Sequence, residues 1–266
     1  MPHGEVRTFH PRRSVLGAAQ RDALDRLWPT TGFTLRGPEP LAPLGPDGLL
    51  SPAALFGRTA PLVVEIGPGM GEATALMAAA DPDRDYLAVE AHLPGVAQLL
   101  VLSESLGLTN LRVAFADAVA LLTDAIAPGS VDALHIFFPD PWPKPRHHKR
   151  RLVQPSRVGL LRSRLVPNGT IHCATDWAPY AEAMLAAFEG DAELVNPFGG
   201  PAPRPAHRPV TRFERRATDA GRPIFDIVVR RVPAGSGTPS AHQTAGGQTS
   251  PTSTTAPPEV ISTRLI

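Results

Sequence analysis

Short apolar runs alternate with helix-period segments from residue 61 to residue 232, and no other feature constrains this chain so much. Residues 61–66 (PLVVEI) are almost wholly apolar and run into glycines, the pattern of a strand buried on both faces. A helix is expected over 73–80, stopped by Asp81-Pro82. Further strands are expected at 86–90, 111–115, 131–138, 170–174 and 225–232, with helices at 96–105, 118–126, 156–165 and 178–188 between them. Strand–helix alternation of this kind requires an α/β fold, a doubly wound and mostly parallel sheet of the Rossmann-like type with helices on both faces.

The edges of this unit show in composition. Residues 233–258 carry no charge, no aromatic ring and no large aliphatic side chain. Such a stretch cannot bury enough apolar surface to offset its backbone entropy, so 233–266 is expected to be a disordered low-complexity tail. Residues 37–61 hold six prolines and read as an irregular connection. The expected organisation is a basic N-terminal arm and Pro/Gly-rich connection over 1–52, one domain over 53–232, and the tail. No window approaches the 18 or so apolar residues of a membrane span. The N-terminus lacks a signal-peptide core, so a cytoplasmic protein without membrane contact is expected. A single cysteine, Cys173, rules out an intrachain disulfide framework and any multi-cysteine zinc site. The adjacent His147 and His148 lack metal-ligand spacing, so no metal is expected.

The first strand opens into EIGPGMGE (65–72). Gly67, Gly69 and Gly71 let the backbone approach a ligand at a strand-to-helix turn, where a helix start offers free N–H groups. The spacing is G-x-G-x-G, not the dinucleotide G-x-G-x-x-G, and Glu65 and Glu72 flank it. Acids there disfavour a pyrophosphate. They suit S-adenosylmethionine, which carries a sulfonium and an ammonium and has no phosphate. Glu90 ends the next strand, where a carboxylate can accept both ribose hydroxyls, and Asp117 follows the third strand at the level of an adenine edge.

After the fourth strand comes FFPDPWPKPRHHKRR (137–151). Its prolines make a stiff, non-helical loop that presents Asp140 and the ring of Trp142, an arrangement suited to holding a planar base. Lys144, Arg146, Lys149, Arg150 and Arg151 form a strip suited to phosphate contacts. The overall balance of 26 basic to 25 acidic residues, formally +1, conceals this division. Residues 59–143 hold eleven acids against two arginines, whereas 144–164 hold eight basic residues and no acid. Two ligands of opposite electrostatic preference are implied: a cationic cofactor and a polyanion.

Taken in order, four segments carry a family resemblance: EIGPGMGE (65–72), FPDPWPKPRHHKRR (138–151), ATDWAPY (174–180) and RPVTRFE (208–214). Together they resemble the tRNA (guanine-N7)-methyltransferase family across roughly residues 7–231. The resemblance implies the seven-stranded class I methyltransferase fold, S-adenosylmethionine as cofactor and tRNA as partner; no obligatory protein partner is inferred. The implied reaction is methylation of N7 of a guanine in the variable loop (position 46). It also implies that Glu65, Glu90, Asp117 and Asp140 contact the cofactor, with Asp140 catalytic. Lys144, Asp176, Thr211, Arg212, Phe213 and Glu214 match its substrate contacts. Arg212 departs from the family's usual lysine, and a planar guanidinium meets phosphate differently from an ammonium. Two other readings of the residues stay open at this stage: a nicotinamide-dependent oxidoreductase and a non-catalytic tRNA-binding module on the same sheet.

Overall fold

The structure, a computed structural model, describes residues 8, 15–35, 37 and 39–233. These fall within one compact unit spanning 1–234. The expected tail and most of the basic arm, with Arg7, Arg12 and Arg13, lie outside the described residues.

Eight strands form a single sheet: β1 (Gly32–Phe33), β2 (Leu62–Ile66), β3 (Asp85–Glu90), β4 (Leu111–Phe115), β5 (Val131–Phe137), β6 (Leu165–Thr175), β7 (Leu194–Val195) and β8 (Phe225–Arg231). Their spatial order is β1-β4-β3-β2-β5-β6-β8-β7. All neighbours pair in parallel except β8, which runs antiparallel to both β6 and β7. The chain winds outward in one direction through β2, β3 and β4, then returns to start β5 on the other side of β2. Open sheets of this kind bind ligands at that reversal, beyond the carboxyl ends of the strands.

The sheet has one strand more than the seven expected. The extra strand, β1, comes from the segment expected to belong to a basic N-terminal arm. Residues 18–33 instead form α1 (Ala18–Thr31) and β1, and α1 packs against α4 (Leu93–Ser105). Phe33 is buried there, and burial of that ring compensates for ordering a stretch with weak local signals. The remaining helices are α2 (Pro52–Phe56), α3 (Glu72–Ala80), α5 (Ala118–Asp124), α6 (Pro155–Arg164), α7 (Ala178–Glu189) and α8 (Arg212–Asp219). Among the described residues no helix is long and apolar enough to cross a membrane.

Side chains alternate along the strands into two cores. Leu62, Val64, Leu134, Ile136 and Ile171 face one side, under α5, α6 and α7. Val63, Ala88, Ala133, Phe137 and Ala174 face the other, where α1, α3 and α4 pack. This second face also carries His135 on β5 and His172 on β6, both buried. Residues 201–211 lie over them, bringing His207 against both rings.

Candidate active site

The glycine turn between β2 and α3 has the shape the sequence requires. Gly67, Gly69 and Gly71 all adopt positive φ, at 69°, 61° and 78°. At Gly71 a side chain is doubly excluded, because an added Cβ would also sit 2.6 Å from Leu99 of α4. Gly95 on α4 serves the same turn. A Cβ there would meet the carbonyl of Gly69 at 2.3 Å, so the start of α4 lies close against the loop.

Three carboxylates stand at or just beyond the carboxyl ends of β2, β3 and β4. Glu65 is 2% exposed and accepts a hydrogen bond from Thr74 Oγ1 at 2.7 Å. Burial pushes its carboxyl up to about 7; the Thr74 hydroxyl acts against this shift and the nearby Glu90 adds to it. Glu90 accepts from the backbone N–H groups of Gly69 at 3.0 Å and His92 at 2.8 Å. Its carboxylate thus ties the glycine loop to the end of β3. Asp117 caps α5, accepting from Val119 N–H at 2.8 Å and Ala120 N–H at 3.1 Å.

The proline-rich loop after β5 is held in a strained form. Phe138 and Trp142 both have positive φ, 51° and 43°, which costs a non-glycine residue on the order of 1–3 kcal/mol. Three contacts maintain it. Phe138 N–H donates to the carbonyl of Ala174 at 2.7 Å, Arg151 Nε to that of Pro141 at 2.9 Å, and Trp142 Nε1 to that of Thr8 at 3.2 Å. Asp140 lies half-buried between the first two anchors.

The structure separates the residues of this loop into two groups. Trp142 does not present an open face; it is 3% exposed, with the Arg150 guanidinium 4.2 Å from its ring centroid and His147 against its edge. Arg151 is likewise not a surface cation. It is 6% exposed, bonds Pro141 and stacks on Tyr180 at 4.7 Å. A sequence reading of consecutive cations cannot tell which ones the loop turns inward. Lys144, Arg146 and Lys149 remain exposed on or beside a short 3₁₀ turn over Pro145–Arg150.

The 211–214 segment closes the site from above. Thr211 caps α8 by accepting from Glu214 N–H at 3.3 Å. Arg212 N–H donates to Glu72 at 3.2 Å, which brings the start of α8 onto the start of α3. Phe213 is half-exposed and packs on Phe138, with ring centroids 4.9 Å apart. Glu214 is placed differently from its neighbours: it is 5% exposed and receives both Arg208 Nη1, at 2.5 Å, and Nη2, at 3.1 Å. Its carboxylate faces the interior. Asp176, beyond β6, is half-buried and pairs with Arg222 at 2.9 Å.

The sequence reading did not single out Arg208, Asp226, His135, His172 or His207. Arg208 is 1% exposed and held by Glu214 on one side and Asp226 on the other, with two bonds of 2.7 and 2.8 Å to the latter. On the face of β5 that carries Ala133 and Phe137, His135 is the polar residue, and that was the available signal. Spacing gave none, because the partners lie in separate elements.

The turn fits S-adenosylmethionine. Space is open where Cβ atoms of Gly67 and Gly69 would lie, and the buried carboxylates of Glu65 and Glu90 line the turn. A phosphate-bearing dinucleotide would face those acids directly.

Comparison with known proteins identifies the family. Residues 59–227 match the model of a methyltransferase family. A Streptomyces coelicolor tRNA (guanine-N(7)-)-methyltransferase is 50% identical over 229 residues, covering 85% of this chain and 81% of the relative. The enzyme of the same name from Nitrosospira multiformis is 48% identical over 86% of this chain and 96% of its own length. Among solved structures, the 16S rRNA methyltransferase KamB superposes with a TM-score of 0.50 at 15% identity, over 68% of this chain and 92% of that one, a likeness of fold. With a methyltransferase family model across most of the folded unit and relatives near 50% identity along it, the chain belongs to the tRNA (guanine-N7)-methyltransferase family.

Proposed function

We propose that this protein methylates N7 of a guanine in the tRNA variable loop (position 46), using S-adenosylmethionine, and that it works in the cytoplasm. The observation that carries this reading is the joining of two sites. An acid-lined glycine turn and a stiff loop bearing Asp140 sit at the carboxyl edge of one sheet, with exposed cations extending from the loop. The cofactor supplies an electrophilic methyl group on a sulfonium. Guanine N7 has an in-plane lone pair and needs no deprotonation, so the protein's task is alignment more than proton removal. Glu90 holds the ribose end. Glu65 and Glu72 favour the cationic end, and Asp117 borders the adenine. Asp140, with Asp176 after the neighbouring strand β6, accepts hydrogen bonds from guanine N1–H and N2–H₂, which adenine does not offer. Phe138 and Phe213 flank the base. Glu214 serves the substrate indirectly, by fixing Thr211, Arg212 and Phe213 over the site through Arg208.

The deciding experiment is methyl transfer from labelled S-adenosylmethionine to a tRNA transcript, followed by nucleoside analysis. Expected is 7-methylguanosine in the wild-type transcript and none when variable-loop guanine 46 is replaced. Methylation of another base or position would overturn the assignment.

Exposed and inward cations are expected to behave differently. Lys144→Ala with Lys149→Ala lowers tRNA affinity and flattens its salt dependence by about one logarithmic unit per lost phosphate contact, leaving the melting temperature unchanged. Arg151→Ala lowers the melting temperature instead, since it removes the bond to Pro141 and the stacking on Tyr180. Filter binding at several salt concentrations together with thermal melts separates the two.

Cofactor affinity should also depend on pH through Glu65. Its carboxyl is raised to about 7, and a cationic ligand favours the ionised form. Binding therefore releases a proton below about pH 7, and affinity is expected to fall about tenfold from pH 8 to pH 6. Burial lowers His135, its register neighbour on β5, well below the usual imidazole value. In the cofactor-free protein the sign for stability is opposite: the buried acid opposes folding increasingly as pH rises from the free-carboxyl range to about 7. Calorimetric titration of wild type and Glu65→Gln checks this, with the slope lost in the variant.

A further inference from the structure

We infer that His135, His172 and His207 form a binding site for one divalent first-row transition ion, of the zinc, cobalt or nickel kind. The site fastens the 201–211 segment to the sheet. Each histidine offers one ring nitrogen, and these three nitrogens lie within 4.8 Å of one another. The three come from separate parts of the chain. His135 and His172 are register partners on β5 and β6, and His207 reaches them from the segment that leads into Thr211–Glu214.

The hydrogen bonds around the cluster have the form of a metal site. His172 Nε2 lies 2.7 Å from Asp226 Oδ1, and its other nitrogen, Nδ1, lies 3.1 Å from His207 Nε2. Asp226, a buried carboxylate also bound to Arg208, is best served as an acceptor, which puts the imidazole proton on Nε2. His172 Nδ1 then carries a lone pair aimed at another histidine nitrogen. A metal-bound histidine characteristically gives its second N–H to a carboxylate in this way. Two nitrogens on one tetrahedral zinc, at about 2.0–2.1 Å each, stand about 3.3 Å apart, so His172 and His207 need move little. His135 Nδ1 is buried and has no hydrogen-bond partner, an orphaned polar atom that a protein interior rarely leaves.

Charge favours the same reading. Arg208 is matched by Glu214 and Asp226, leaving this buried group one negative charge in excess when the imidazoles are neutral. The ion would join β5, β6 and the 201–211 segment at one point. That point is three residues before Phe138, which follows β5, and four before Thr211.

The test uses untagged full-length protein stripped with a chelator and titrated with Co²⁺ and Zn²⁺. Expected is one saturable equivalent, with the strong visible absorption of a tetrahedral or five-coordinate Co²⁺ nitrogen site, displaced by Zn²⁺, and a higher melting temperature with either ion. His207→Ala should weaken binding roughly 100-fold and abolish the metal-dependent rise in melting, while its chelator-treated melting temperature stays close to wild type. A second variant, His147→Ala with His148→Ala, should bind as wild type does. No saturable binding, or equal binding by His207→Ala, overturns the inference and leaves a proton-sharing histidine cluster. Loss of binding in the His147/His148 variant alone places the ion on the 3₁₀ turn instead, and overturns it too.

Discussion

Asp140→Asn is expected to lower turnover on saturating tRNA by roughly 100-fold, while the protein melts as wild type does. Asparagine keeps the size of the side chain but replaces one acceptor oxygen with a donor and removes the charge. A base presenting N1–H and N2–H₂ to that position then meets a donor where it needs an acceptor. Guanine can still bind through its other contacts, but its N7 no longer lies in line with the methyl group. The size of the effect depends on the loop's stiffness. Phe138 and Trp142 are locked at positive φ, and bonds from Phe138 to Ala174 and from Arg151 to Pro141 hold the ends, so the side chain cannot shift to compensate. Single-turnover rates at saturating tRNA and cofactor, with cofactor affinity measured separately, distinguish loss of alignment from loss of cofactor. Wild-type turnover in this variant would remove Asp140 from the mechanism.

The largest effect on stability is expected at Arg208. Arg208→Ala leaves Glu214 and Asp226 buried, close together and without their cation. Removing one partner of a buried ionic group costs on the order of 3–5 kcal/mol, about 10 °C or more in melting temperature for a domain of this size. Arg208→Lys should recover only part of this. One ammonium cannot make the paired bonds to both carboxylates that the guanidinium makes at 2.5, 3.1, 2.7 and 2.8 Å. Activity should fall further than the folded fraction does, because this ion group positions Thr211, Arg212 and Phe213 above the site. Thermal and urea unfolding measure the first effect, and tRNA affinity at a temperature where the variant is folded measures the second. A loss below about 1 kcal/mol would mean that the two acids rearrange to reach water.

The sheet was legible in the sequence because its strands are buried on both faces. Five-residue runs with a single charged residue, such as LVVEI and LRVAF, have few other uses, and each is followed by a turn and a helix. The glycine turn was legible because positive φ selects glycine at three positions, and its ligand's charge sign could be read from Glu65, Glu72 and Glu90. Segment 18–33 was not legible as part of the fold. A two-residue strand has no periodicity, and β1 is fixed by pairing with β4, whose position only the folded sheet supplies.

Sequence alone therefore determined the fold class, the cofactor's electrostatic character and the family, since these follow from local patterns and contiguous motifs. Tertiary structure decided which members of those motifs face outward. The run KRR contributes Lys149 to the surface, Arg150 to the ring of Trp142 and Arg151 to the interior, although one-dimensional charge is the same for all three. It also decided that Glu214 is a buried anchor, and that histidines 37 and 35 positions apart meet at one point. Burial and partner choice depend on chain segments distant in sequence, and packing brings those segments together only once the sheet has formed.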